Sequence, residues 1–237
     1  MGKYIIKIFF IIYAVNLLAR DFKILKEKKF EIYYERDINP YVTEYVLNIL
    51  KDSDSKITEK FNFTNSYIFK VVIYNDLINF INDRVGNFNE NYVFKSNIIY
   101  IQNIELLMQQ NILHSVINYA LTRYQLILNF DTNIIPEWFL TGISLYISNL
   151  NFSDSGIIFK NFDELINFLK KSSNSEKFKQ ACHNLYNGIS YLLNRFTFEK
   201  IIEFLNNCKA KGDFENLFFQ FFGLKLQDYK NIILNKY

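Results

Sequence analysis

The stretch NILHSVINYALTRY (residues 111–124) has helical period and carries one of the chain's 2 histidines. Residues at i and i+4 share one face of a helix. Two imidazoles at that spacing chelate zinc, and a glutamate directly after the first polarises the metal-bound water and takes its proton. In this chain His114 is followed at once by Ser115 and four positions on by Asn118, so the pattern reads H-S-x-x-N. A serine hydroxyl has no basicity near neutral pH. An asparagine offers zinc a neutral oxygen in place of an imidazole. Taken by itself, His114 reads as a satisfied core histidine.

Two later stretches could complete such a site. PEWFLTGISLY (residues 136–146) holds Glu137 one helical turn before Thr141. Glu137 is a candidate surrogate ligand, although a glutamate in the first turn of a helix is also ordinary electrostatics against the helix dipole. NLYNGISYLLNRF (residues 184–196) holds Tyr186, three residues after the second histidine, His183, which reads as a surface or core residue.

These residues need elements to position them. FEIYYE (residues 30–35) alternates Phe30, Ile32 and Tyr34 against Glu31 and Glu35, the pattern of a half-exposed strand. From Pro40 the apolar positions take helical spacing to about Phe61. YIFKVVIY (residues 67–74) is continuous enough for a central strand. Asn75 can cap a short helix that stops at Gly86 as a left-handed C-cap. Residues 92–94 and 98–101 read as a hairpin. Helical period then dominates, over about 105–129, 136–149, 161–171, 177–195, 198–210, 213–221 and from Leu226. This order predicts an α+β fold, with a small mixed sheet in residues 30–130 and an all-helical part over residues 131–237.

In this order the segments resemble the peptidase-MA-like domain of the gluzincin clan of zinc metallopeptidases. The family's third-ligand helix reads roughly P-x-W-x-x-E-G-x-x-x-Y, and Pro136, Trp138, Gly142 and Tyr146 match it. Tyr186 falls at the aromatic position of a later family helix, and GDFENLFFQFFGLKLQDY (residues 212–229) resembles the family's C-terminal signature. The match runs over about residues 30–235. It implies a zincin-like fold in which His114, Asn118 and Thr141 share a cleft beside the strand at residues 98–101. It also implies that His114 keeps the first ligand, Ser115 replaces the catalytic glutamate, Asn118 replaces the second histidine and Thr141 replaces the third ligand. The resemblance therefore predicts no catalytic residue and no metal. If the protein is active instead, zinc would be the cofactor, with His114, Glu137 and Tyr186 as the working groups.

Composition narrows the remaining classes. The chain has 237 residues, 50% of them hydrophobic and 18% aromatic, enough for a large core that needs no structural metal. A net charge of +3 leaves no basic footprint for nucleic acid. There is no glycine-rich phosphate loop, nucleophile elbow or C-x-x-C. Cys182 and Cys208 are too few for a metal framework; they could pair or stay as buried thiols.

The N-terminus reads as an export signal or a membrane anchor over residues 1–19. Its basic start precedes a 12-residue apolar run, residues 8–19, shorter than the ~20 residues of a membrane span. Residues 20–29 read as a charged linker. Three readings follow. The first is a non-catalytic peptidase-like protein of the periplasm or cell envelope that binds a protein or peptide, with membrane contact through residues 4–19. The second is an active metallopeptidase with atypical ligands. The third is a generic exported structural or interaction protein.

Overall fold

The computed structural model describes residues 22–64, 67–82, 92–95, 98–170 and 176–234. Residues 1–19 and the expected cap at Gly86 lie outside them.

A five-stranded mixed sheet forms first, in the order β1-β2-β3-β5-β4. Its strands are β1 (Phe22–Glu27), β2 (Phe30–Glu35), β3 (Phe69–Ile73), β4 (Tyr92–Lys95) and β5 (Ile98–Ile101). β2, β3 and β5 run parallel, and the two edge strands run antiparallel to their neighbours. The stretch expected as a charged linker is largely β1. Lys28 turns the chain with a left-handed φ of 46°, and the charges fit an exposed edge, where they also discourage unwanted strand pairing. Lys26 pairs with Glu31 at 3.1 Å, and Glu27 accepts a hydrogen bond from Lys51.

Both faces of the sheet are covered. Val71, Ile73, Ile99 and Ile101 face the main core. Val72, Tyr74, Ile98 and Tyr100 alternate to the other face, where Phe80 covers them from the short helix α2 (Leu77–Asn82). The main-core face is covered by α1 (Pro40–Phe61) and α4 (Leu113–Asn129). Asn39 caps α1 by accepting a hydrogen bond from the Tyr41 amide, Pro40 opens the helix, and Asn62 closes it in the left-handed region.

The single helix expected over 105–129 is two, α3 (Ile104–Gln109) and α4. Asn111, at φ 55°, breaks the run. A left-handed residue cannot continue a right-handed helix, and asparagine tolerates that conformation well. The helical part follows as α5 (Glu137–Ile147), α6 (Phe162–Lys170), α7 (Glu176–Leu193), α8 (Phe198–Lys211), α9 (Phe214–Phe222) and α10 (Leu226–Ile233). Its core is rich in aromatic rings: Phe139, Phe204, Phe214, Phe218 and Tyr229 meet at centroid separations from 5.0 to 6.2 Å. Among the described residues, no helix is long and apolar enough to cross a membrane.

Candidate functional site

The two helices that carry the candidate residues, α4 and α5, pack against each other in antiparallel register. Asn118 donates to the carbonyl of Ile147 at 3.4 Å, near the end of α5, and accepts from Thr122 within its own helix. Further along α4, Arg123 donates to the Thr141 hydroxyl and to the Glu137 carboxylate at the start of α5. Thr141 in turn donates to the Glu137 carbonyl at 2.8 Å.

This register decides which candidates meet. Arg123 leaves α4 about 7.5 Å further along its axis than Asn118, and roughly 140° around it. It leaves roughly 180° around from His114. Thr141 and Glu137 are thus joined to each other through Arg123. His114 is not the core histidine that its helix alone suggested: its side chain is about half exposed and points toward α1, where its Nε2 lies 4.0 Å from the Asp52 carboxylate. Ser115 is half-buried. The Tyr186 hydroxyl on α7 lies 3.5 Å from Asn149, and its ring packs against Tyr146 at 5.5 Å. The described contacts therefore give His114, Asn118 and Thr141 three separate sets of partners.

Close packing sets the position of α5. A Cβ built on Gly142 would sit 3.0 Å from Ile189 Cγ1 and 3.2 Å from the Leu185 carbonyl, so the missing side chain lets α7 approach. Cys182 of α7 is buried close enough to Arg123 to feel its charge. Burial pushes its thiol up to about 12, partly opposed by the Arg123 charge. Cys208 is also pushed up to about 12 by burial, with Asp213 adding to the shift. Both cysteines are free and buried, which settles the alternatives left open in the sequence in favour of inert thiols.

The second histidine holds a loop. His183 Nδ1 lies 2.6 Å from the Phe152 carbonyl, and Nε2 lies 2.9 Å from the Asn187 amide. A neutral ring that donates from Nδ1 and accepts at Nε2 satisfies both contacts. Gln180, from the same helix, accepts from the amide and the hydroxyl of Ser155. Together they fasten the irregular segment after α5 to α7.

Two residues that sequence reasoning passed over organise these regions. Arg123 is one. Its signal was a single cation in an otherwise apolar helical stretch, which must find an acceptor when the helix is buried. Glu35 is the other. Strand alternation put it in solvent, yet it is buried at the end of β2. There it accepts from the amides of Asn75 and Asp76 at 2.8 and 3.3 Å and from the Asn79 side chain at 2.8 Å. It thereby ties β2 to the turn after β3.

Among the described residues, no group of three His, Cys, Asp or Glu side chains could hold a metal ion. The carboxylate with the best claim as a surrogate ligand, Glu137, is engaged by a guanidinium. No known family model matches the chain, and no curated protein matches it.

Proposed function

We propose that this protein is a non-catalytic, zinc-peptidase-like protein of the cell envelope that works by binding a protein or peptide partner. The observation that carries this reading is Arg123. At the position where the resemblance calls for a metal-binding glutamate stands Thr141, and its hydroxyl is held by a guanidinium. A fixed cation there fastens α4 to α5 without a metal. It also occupies Glu137, the carboxylate that the sequence offers as a surrogate ligand. The order of elements, a mixed sheet followed by a helical half with α4 and α5 adjacent, supports the zincin-like fold as the origin of the scaffold.

The hydrolase reading would need His114, Glu137 and Tyr186 to act on one substrate. They lie beside different neighbours: His114 is 4.0 Å from Asp52, Glu137 is held by Arg123, and the Tyr186 hydroxyl is 3.5 Å from Asn149. The test is cleavage of a mixed set of unstructured peptides by the purified chain with added zinc, followed by mass spectrometry. Intact peptides are expected. Zinc-dependent cleavage that disappears in His114→Ala would favour the hydrolase.

A further inference from the structure

The parallel strands give the sheet a defined polarity. The C-terminal ends of β2, β3 and β5 lie together, and the start of β1 lies with them because Phe22 pairs with Glu35. Phe22 also packs edge-on against Tyr74 at 5.7 Å, just past the end of β3. The described residues therefore begin at this end of the sheet, and the 12-residue apolar run of residues 8–19 stops three positions before Phe22.

The same end carries an unusual share of exposed apolar side chains. Among the described residues, nine large hydrophobic side chains are exposed. Five of them, Tyr41, Tyr45, Ile78, Leu106 and Met108, belong to the helices that open directly after β2, β3 and β5. Tyr41 is 79% exposed. Tyr41 and Tyr45 are one turn apart on α1, so they stack on one face. Asn39 and Asn103 cap α1 and α3 by accepting from the Tyr41 and Leu106 amides, so the positions of these side chains are fixed rather than incidental.

We propose that this end of the sheet docks on a lipid bilayer, with the two tyrosines, Ile78, Leu106 and Met108 seated at its interface. The proposal rests on the reading of residues 8–19 as a membrane-directed segment and extends it to a second, folded contact. A tether that enters beside Phe22 holds this end nearest the membrane. Tyrosine suits the headgroup layer because one end of its ring is apolar and the other wet. The charges nearby do not favour anionic lipid: Asp37, Glu44, Asp76 and Glu105 outnumber Lys23 and Arg36. Contact is therefore apolar in origin, and neutral lipid suffices.

The test uses the full chain with phosphatidylcholine vesicles and an environment-sensitive fluorophore on single introduced cysteines. Cys182 and Cys208 are buried and remain unlabelled in the native protein. Labels on Tyr45→Cys, Ile78→Cys and Met108→Cys are expected to shift to the blue and to be quenched by brominated lipid. A label on Ile68→Cys is the control. Ile68 is 58% exposed but precedes β3, and the five residues of that strand carry it roughly 17 Å to the opposite end. Its emission is expected not to change. If the chain floats with vesicles but the three labels stay unshifted, the tether stands and the docking face is refuted. If the chain does not float, the tether and the docking face both fall. An equal shift at Ile68→Cys, or a shift that grows with protein concentration without vesicles, also overturns the proposal, the latter in favour of self-association.

Discussion

Arg123 of α4 and Glu137 of α5 form an ion pair between a mostly buried guanidinium, 17% exposed, and a carboxylate that is 56% exposed. The asymmetry has consequences. The carboxylate can be hydrated if its partner is lost, whereas the guanidinium is left in a poorly solvated site. A double-mutant cycle with Arg123→Met and Glu137→Gln should give a coupling of about 1 kcal/mol, at the upper end for partly exposed pairs. Urea denaturation of the four proteins checks it. A coupling near zero would mean that the pair does not fasten the two helices.

Glu35 should matter more than a strand-end glutamate usually does. Its carboxylate accepts from two backbone amides and one side-chain amide. Glu35→Ala removes the acceptor from three part-buried donors and should cost about 1 kcal/mol. Glu35→Gln, which keeps one acceptor oxygen, should cost less. The midpoints of chemical denaturation would separate the two. Equal losses would show that volume, not hydrogen bonding, sets the effect.

Much of the fold was legible because its signals are local and periodic. The helical spacing from Pro40 to Phe61 matches α1, and the antiparallel pairing of residues 92–95 with 98–101 and the helices from Glu137 onward follow their apolar patterns. β1 was not legible because an edge strand can be charged on nearly every exposed position, which looks like a linker. The break at Asn111 depends on one left-handed residue that carries no apolar signal. The arrangement around Thr141 was also hidden. Spacing shows which residues share a face of one helix. It does not show the register between two helices, and that register brings Arg123 to Thr141 while His114 faces Asp52.

The two thiols should be silent in the native state. Both are buried and pushed up to about 12, so neither forms thiolate near neutral pH. An aromatic disulfide reagent should release less than one equivalent of thiol from the native described fold and two after denaturation. Fast native reaction at either position would contradict the packing of α7 and α8.

One carboxylate supplies a pH signature. A hydrogen bond from Lys26 holds Glu31 below the usual carboxylate range, helped by Tyr33 and Lys70 and opposed by partial burial. A folded-state pKa that is depressed gives stability that is present above the unfolded value, about 4.3, and lost as pH falls through the lower folded value. Glu31→Gln should therefore destabilise the protein at pH 7 by about 0.5 kcal/mol, the scale of an exposed pair. Its effect should shrink as the pH falls through the lowered folded-state value. An effect that did not change with pH would point to packing instead.

Arg123 joins α4 to α5, and we propose that it does so in place of a metal. Zinc content of the purified, zinc-incubated and desalted chain tests this most directly, measured beside the combined variant Ser115→Glu, Asn118→His and Thr141→Glu. A zinc site needs three protein ligands around one point. The described register gives residues 114, 118 and 141 separate partners, and a carboxylate at 141 would meet the Arg123 guanidinium. The expected result is less than about 0.1 zinc per chain in both proteins, far below the single ion of a formed site. One zinc per chain in the unmodified protein, lost in His114→Ala, would show a metal site at His114 and overturn the proposal.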